Sequence, residues 1–221
     1  MLAQLQPART IILIGPPGSG KTLQAEALRK EYKIPAVSMA QLLQQEVNRK
    51  STIGKALAAP LASGELLSDG PANEVMKARL LRSDAGRGFI LDGYPATEGQ
   101  AKALDEWLSE HKLPKPTIVV LNVPEEVSRD RMVRRKRPDD QSENIQRRLR
   151  DYREVGRMVE QWYGSQRIVH VDGTGTPSDV TQRIAKGIEA VQAAPVLKSR
   201  PSEEGGLKRR EPGAPATEQK P

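Results

Sequence analysis

The sequence predicts one α/β domain, a parallel sheet with helices on both of its faces, and three observations indicate it. The chain has 221 residues, the length of one domain with an appendage. Short runs of β-branched and aliphatic residues alternate with longer segments of helical periodicity. These apolar runs are continuous, which is typical of strands buried on both faces. Strands joined by helical crossovers favour a doubly wound fold, whose ligands bind at the carboxyl ends of the strands.

Five segments are predicted as strands, and all but residues 35–38 have a strong apolar character. They cover residues 10–14, 35–38, 88–92, 117–122 and 167–172. Helical patterns fill the intervals and follow the last strand. They lie near residues 20–30, 40–50, 72–82, 98–109, 125–135, 142–163 and 177–193.

The composition excludes several classes of function. The chain has no cysteine, so disulfides, thiolate chemistry and Cys-based metal sites are excluded. Two histidines argue against a His-rich metal site and a Ser-His-Asp triad. Two Trp, four Tyr and one Phe offer few rings for stacking on nucleic-acid bases, although the net charge is +7. No apolar run approaches the roughly 20 residues of a membrane span, and residues 1–10 lack signal-peptide features, so we expect a cytoplasmic protein.

The composition changes near Pro195. Beyond it, proline, glycine and charged residues dominate, and the larger aliphatic side chains are Val196, Leu197 and Leu207. Such a segment buries too little apolar surface to offset its ordering entropy. We predict a domain over residues 1–194 and a disordered tail over residues 195–221. A short basic run in this tail could contact nucleic acid or anionic lipid, but a solubilising role is favoured, so neither partner is expected.

A glycine-rich motif directly follows the first strand. Residues 15–22 read Gly-Pro-Pro-Gly-Ser-Gly-Lys-Thr, which satisfies G-x-x-x-x-G-K-[ST] at every position. Glycines let backbone N–H groups surround phosphate oxygens, and the following helix adds its positive dipole end. The lysine supplies a charge for the β- and γ-phosphates, and the threonine a hydroxyl for Mg²⁺. The motif predicts an ATP and Mg²⁺ site formed by Gly15, Gly18, Ser19, Gly20, Lys21 and Thr22.

Two further polar residues are candidates for this site. Asp92 ends a predicted buried strand, where a carboxylate can hold Mg²⁺ through water, and the alternative is a helix or turn cap. Gln100 can hydrogen-bond an adenine-like edge with its carbonyl and its amide. A solvent-facing helix position is an equally good interpretation of Gln100 from the residue alone.

A basic segment forms a second constellation. Arg131 and Arg135 share one face of a predicted helix, and Arg148 follows on the next helix. Guanidinium groups suit the oxygens of a transferring phosphoryl group, and Asp139 and Asp140 would position them. The alternative, a solvated basic helix or a nucleic-acid patch, is disfavoured by the interleaved acids and the scarcity of aromatics. The cations of the segment are Arg129, Arg131, Arg134, Arg135, Lys136 and Arg137.

In order along the chain, these segments resemble adenylate kinases and related nucleoside monophosphate kinases. The phosphate loop and Gln24 resemble that family's G-x-x-x-x-G-K-G-T-Q. The run Phe-Ile-Leu-Asp-Gly-Tyr-Pro followed by Gln-Ala, within residues 89–101, resembles F-[IL]-[IL]-D-G-[FY]-P-R…Q-A. Residues 130–135 and 137–152 resemble the two ends of the family's lid, and residues 171–173 the last strand and the turn beside the base. The resemblance runs from about residue 9 to residue 193.

The resemblance implies a P-loop NTPase fold and a reaction. The fold is a five-stranded parallel sheet flanked by helices, with a small helical acceptor-binding insert near residues 38–67 and a short lid near residues 131–141. The reaction is Mg²⁺-dependent transfer of the γ-phosphoryl group of ATP to a nucleoside monophosphate, with AMP as first choice because Gln100 is kept. The expected partners are small-molecule nucleotides, and the expected state is a monomer.

The resemblance also implies roles for individual residues. Arg137 and Arg148 contact the transferring phosphoryl group, and Arg131 and Arg135 hold the donor's phosphates and base. Gly173 lies in the turn beside the donor base. The catalytic residues are then Lys21, Asp92, Arg137 and Arg148. The acceptor is bound by Ser38, Gln44, Gln100, Arg137 and Arg148.

The acceptor site departs from the family pattern. Gln44 and Ala96 stand where the family has two arginines that grip the acceptor's phosphate. Losing both without replacement costs roughly 3–6 kcal/mol of binding. The departure leaves open a different small-molecule acceptor, or a nucleotide-binding regulatory protein with weakened catalysis. Cations in the same part of the chain that could substitute are Lys33, Arg49, Lys50, Lys55, Lys77 and Arg79.

Overall fold

The computed structural model of the chain describes residues 8–63, 68–135 and 142–193. Its sheet has five parallel strands in the spatial order β2-β3-β1-β4-β5. The strands are β1 (Arg9–Ile14), β2 (Ala36–Ser38), β3 (Gly88–Asp92), β4 (Thr117–Asn122) and β5 (Ile168–Asp172). Every predicted strand is confirmed within one residue, and the α/β fold class with it.

Helices cover both faces of this sheet. They are α1 (Lys21–Tyr32), α2 (Met39–Asn48), α3 (Thr52–Ser63), α4 (Asp69–Leu80), α5 (Glu98–Glu110), α6 (Glu125–Arg135), α7 (Ser142–Tyr163) and α8 (Pro177–Ala193). One core contains the rings of Phe89 and Trp107, whose centroids are 5.8 Å apart. The other core joins β1 to the apolar faces of α1 and α8. Two cores explain why the central strands are apolar on both faces.

The strand register defines the edge of the sheet at which a ligand would bind. Asp92, the last residue of β3, lies beside Leu13 of β1 on one side and beside Ser38 of β2 on the other. The carboxyl ends of three strands therefore meet around Asp92. The loops that follow these strands lie at the same edge.

Helix α3 was not predicted as a separate element, although the insert was expected to be helical. Its sequence contains Gly54 and Pro60, which weaken helix propensity. A Cβ atom on Gly54 would lie 1.9 Å from the carbonyl oxygen of Glu46 on α2. Gly54 is therefore required by the close approach of the two helix backbones, a tertiary contact that local propensity does not reveal.

Some expectations lie outside the described residues. These include the tail over residues 195–221, most of the lid, the end of the insert, and the residues Arg137, Asp139 and Asp140. Among the helices that the structure does describe, none has the length and apolarity needed to cross a membrane.

Candidate active site

The phosphate loop joins β1 to α1, and its glycines are needed for two different reasons. Gly18 and Gly20 both have positive φ angles, 83° and 95°. A Cβ atom on Gly18 would also lie 2.5 Å from the carbonyl oxygen of Ser128 on α6, whereas one on Gly20 would meet nothing within 4 Å. Gly18 therefore permits close packing against α6. Gly20 provides the left-handed turn from which α1 begins, with no acidic residue in the first turn to oppose an anion.

Lys21, the first residue of α1, folds back over the loop. Its Nζ donates to the carbonyl oxygens of Gly15 at 2.6 Å and Pro16 at 3.0 Å. The ammonium group therefore lies over the concave side of the predicted phosphate loop. Charge-assisted hydrogen bonds to phosphate oxygens would be stronger than these bonds to neutral carbonyls.

Thr22 and Asp92 are brought together as the sequence predicted. The hydroxyl of Thr22 donates to Oδ2 of Asp92 at 2.7 Å, although the residues are 70 positions apart. Asp92 is only 7% exposed. A hydroxyl and a carboxylate are hard oxygen donors of the kind that Mg²⁺ binds, directly or through water. The described residues contain no cluster of three or more acidic, histidine or cysteine side chains that could hold a metal. This pair, completed by phosphates and water, fits Mg²⁺.

Arg131 lies between the phosphate loop and the turn that follows β5. Its Nη1 is 3.4 Å from the carbonyl oxygen of Ser19 and 3.3 Å from that of Gly173. The N–H of Gly173 donates to the carbonyl of Asn122 at 2.9 Å, which ties this turn to the end of β4. Arg131 and Gly173 therefore border the loop, where the resemblance implied the donor nucleotide.

The other predicted arginines are less completely described. Arg148 lies half-buried on α7. Arg135 ends α6, and its side chain is outside the described part of the chain, as is the whole of Arg137. The contacts of Arg137 and Arg148 with a transferring phosphoryl group, and that of Arg135 with the donor, therefore stay predictions.

The turn after β5 is held by a residue that sequence reasoning missed. Arg183 of α8 donates from Nη1 to the carbonyl oxygens of Asp172 and Thr174, each at 2.8 Å. The Asp172 carboxylate accepts the N–H and the hydroxyl of Thr174, and these hydrogen bonds lower the pKa of Asp172. Arg183 and Arg131 together hold three consecutive carbonyls. Nothing in the local sequence around Arg183 pointed to this role.

On the acceptor side the predicted residues are less connected. Ser38 ends β2 beside Asp92 and precedes α2. Gln44 is exposed on α2, and its Nε2 donates along the same helix to Oδ1 of Asn48 at 3.0 Å. Of the cations proposed as substitutes, Arg79 makes hydrogen bonds of 3.0 and 2.8 Å to Asp84. Arg49 pairs with Glu46 at 3.5 Å. In the structure, both arginines therefore pair with neighbouring carboxylates.

Gln100 is buried, so its interpretation as a solvent-facing helix residue is wrong. It is 4% exposed in the first turn of α5, and its Oε1 accepts the N–H of Ala96 at 2.8 Å. Its own N–H donates to the hydroxyl oxygen of Thr97 at 3.1 Å, which caps the helix. The signal was present, because Thr97-Glu-Gly-Gln100 has the T-x-x-Q spacing of a capping box. In the structure Oε1 is therefore bound to the loop, and the contact of Gln100 with a base stays a prediction.

The segment over residues 93–97, called the acceptor loop below, is anchored by residues that the sequence did not single out. Thr97 donates its hydroxyl to Oδ1 of Asp69 at 2.6 Å, and Tyr94 donates its hydroxyl to Oδ1 of Asn73 at 2.7 Å. Asp69 and Asn73, which accept these hydrogen bonds, both lie on α4. Burial, and then the charge of Asp69, raise the pKa of Tyr94, so its hydroxyl stays a donor.

Comparison of the amino-acid sequence with known proteins identifies a matching family. Residues 13–168 match the model of the adenylate kinase family. Adenylate kinases of Xanthomonas euvesicatoria pv. vesicatoria (strain 85-10) and Xanthomonas axonopodis pv. citri (strain 306) are each 37% identical over 183 residues, which cover 80% of this chain and 98% of theirs. That of Rhizobium meliloti (strain 1021) is 37% identical over 187 residues, 80% of this chain and 97% of its own. The chain therefore belongs to the adenylate kinase family of nucleoside monophosphate kinases.

Proposed function

We propose that this kinase transfers the γ-phosphoryl group of ATP to AMP and forms two molecules of ADP. The observation that carries the proposal is the Thr22–Asp92 hydrogen bond of 2.7 Å, which pairs the phosphate loop with the strand that leads into the acceptor loop. A metal-binding pair at this point would lie between a donor's phosphates and an acceptor. The name adenylate kinase, which the relatives share, supports AMP as that acceptor.

In the proposed mechanism the phosphate loop binds the donor. The backbone N–H groups around Gly18 and Gly20 surround the phosphate oxygens, and Lys21 exchanges its carbonyl partners for the β- and γ-phosphates. Thr22 and Asp92 would hold Mg²⁺, which neutralises charge on the phosphate oxygens when it is bound. Arg131 lies between Ser19 and Gly173, within reach of the donor's base and phosphates.

The transfer step needs positioning and charge stabilisation, and no covalent enzyme intermediate. A phosphate oxygen of AMP attacks the γ-phosphorus in line, and the bond from that phosphorus to the bridging oxygen of ADP breaks. Arg148 and Arg137 would stabilise the negative charge that spreads over the transferring group, and Arg135 would help Arg131 to hold the donor. The short lid expected near residues 131–141 would shield this step from water less than a longer lid does.

The proposed acceptor site includes Ser38, Gln44 and Gln100. The Nε2 group of Gln100 would donate to a ring nitrogen of adenine, while its Oε1 stays on Ala96. Neutral Gln44 and Ala96 offer no charge to the AMP phosphate, so we expect a high KM for AMP and a less affected kcat. The insert near residues 38–67, a cytoplasmic location and a monomeric state belong to the same proposal.

An acceptor panel tests the proposed function. The purified chain is incubated with ATP, Mg²⁺ and either AMP, CMP, UMP or GMP, and ADP formation is followed with a coupled assay. We expect the highest kcat/KM with AMP and two ADP for each ATP used, with little ATP hydrolysis when no acceptor is present. ATP binding without phosphorylation of AMP, or at least tenfold higher kcat/KM with another monophosphate, would overturn the assignment.

A further inference from the structure

The start of α4 holds both ends of the acceptor loop. At one end the Thr97 hydroxyl donates to Oδ1 of Asp69 at 2.6 Å, and at the other the buried Tyr94 donates to Oδ1 of Asn73 at 2.7 Å. These partners are 28 and 21 positions apart in the chain. The contacts are therefore tertiary, and they join the loop to the helix that follows the proposed insert.

The Asp69 carboxylate occupies a built position. A Cβ atom on Gly99 would lie 2.1 Å from Oδ2 of Asp69, so only glycine admits the carboxylate against the first turn of α5. Asp69 is also in the first turn of α4, and its negative charge is favoured near the positive ends of both helices. Three observations define the position of the Asp69 carboxylate: the hydrogen bond that it accepts from the Thr97 hydroxyl, its packing against Gly99, and its effect on the pKa of Tyr94.

A chain of hydrogen bonds leads from this carboxylate to the acceptor site. Asp69 accepts from Thr97, whose hydroxyl oxygen accepts the N–H of Gln100 at 3.1 Å. Gln100 in turn accepts the N–H of Ala96 at 2.8 Å through Oε1. Ala96 is the position where the resemblance places an acceptor arginine, and Gln100 is the proposed base-binding residue. This series of hydrogen bonds therefore ends at two residues that would face AMP.

We propose that Asp69 is a positioning residue for the acceptor: by accepting from Thr97 it holds Gln100 and Ala96 in the geometry that binds AMP. The inference rests on the proposed function. Asp69 bonds to the loop, and its effect on AMP would pass through that loop. Because Gln44 and Ala96 lack charge, the order of this loop supplies a larger share of acceptor recognition here than it would beside two arginines.

Steady-state kinetics of Asp69→Ala test the inference. We expect its KM for AMP to rise about tenfold, the order of effect of one lost hydrogen bond to a charged group, while its KM for ATP stays within about twofold. Asp69→Asn should restore most of the affinity, because its side-chain oxygen can still accept from Thr97. Glu106→Ala is the matched control: it removes an exposed carboxylate from α5, the helix that follows the acceptor loop, and should leave both constants unchanged.

A second measurement keeps the inference independent of the proposed function. Amide hydrogen exchange at Ala96 and Gln100 should accelerate in Asp69→Ala and remain at the wild-type rate in Glu106→Ala, whichever acceptor the enzyme uses. If the wild type fails to phosphorylate AMP but this exchange pattern holds, the proposed function fails and the positioning role stands. If Asp69→Ala does not fold, Thr97→Val removes the same hydrogen bond together with the cap on the Gln100 N–H, and it is expected to raise the KM for AMP.

Three outcomes would overturn the positioning role. The first is an unchanged KM for AMP in folded Asp69→Ala or in Thr97→Val. The second is an equal rise of both KM values, which would indicate a general loss of structure. The third is an Asp69→Asn variant no better than Asp69→Ala, because the hydrogen bond to Thr97 would then not be what matters.

Discussion

The donor and acceptor sides of this kinase are built in different ways. On the donor side the predicted residues bond to one another: Thr22 to Asp92, and Arg131 to the phosphate loop. On the acceptor side Gln44 bonds along its own helix, and the acceptor loop is anchored by Asp69 and Asn73 of α4. The donor side follows from one contiguous motif and the ends of the strands beside it. The acceptor side depends on Asp69 and Asn73, which belong to no recognised motif, although their partners are only 28 and 21 positions away.

The largest expected effect is on the donor side. Lys21→Ala should lower kcat/KM at least about a hundredfold, because its charge would follow the transferring group into the transition state. The circular dichroism spectrum and Tm should stay close to those of the wild type. Lys30→Ala, an exposed lysine on the same helix, is the control and should retain full activity. Near-normal turnover in folded Lys21→Ala would remove the phosphate loop from the mechanism.

Asp92 is expected to act through the metal. Asp92→Ala should raise the Mg²⁺ concentration for half-maximal activity by about tenfold to a hundredfold, the usual effect of losing a group that orients metal-bound water. Asp92→Asn keeps an oxygen that can accept from Thr22 but loses the charge, and it should shift the Mg²⁺ curve in the same direction. A wild-type Mg²⁺ curve in both variants would show that Asp92 only anchors Thr22.

The acceptor side is expected to improve when its charge is restored. In Gln44→Arg/Ala96→Arg, the KM for AMP should fall about tenfold or more, since one hydrogen bond to a charged group contributes about 1.5–3 kcal/mol. The value of kcat should change less, because the phosphate is held in ground and transition states alike.

A matched control separates specific from general electrostatics. Gln45→Arg adds the same charge to α2 at a position about 100° around the helix, and it should leave the KM for AMP unchanged. Equal improvement in Gln45→Arg would mean that any nearby cation attracts AMP. A rise of the KM in the double variant would mean that the native site already has a cation for the phosphate.

This contrast also explains which features the sequence could predict. The central strands β1, β3 and β4 were predictable because continuous apolar runs reflect burial on both faces, and the phosphate loop because its residues are contiguous. The edge strands β2 and β5 give a weaker signal, since half-buried or exposed residues interrupt them. Helix α3 was not, since Gly54 disfavours a helix locally and is required by contact with Glu46. Gln100 was predicted as a functional residue. Its burial was not predicted, because it depends on the hydrogen bonds that Gln100 makes with Ala96 and Thr97. Asp69 was not predicted, because it belongs to no recognised motif and its role depends on a tertiary contact with Thr97.

The smallest effect on catalysis is expected from Gln24, which lies beneath the donor side. It is 3% exposed, donates from Nε2 to the Pro177 carbonyl at 3.0 Å and accepts the Thr181 hydroxyl at 2.7 Å. These bonds tie α1 to α8. Gln24→Ala removes two hydrogen bonds made by a buried side chain, so we expect it to lower the free energy of unfolding by about 1–3 kcal/mol. Both KM values should stay within about twofold, because the side chain of Gln24 bonds to α8 and acts on stability, while its backbone hydrogen bond to the Gly20 carbonyl is kept in the variant.

Chemical denaturation of Gln24→Ala beside Leu23→Ala measures this difference. Leu23 is 55% exposed on the same helix, so its truncation should change the free energy of unfolding by less than about 0.5 kcal/mol. A raised KM for ATP in Gln24→Ala with unchanged stability would place Gln24 in the donor site. Gln24 would then belong with the residues that bind the donor and not with those that support α1.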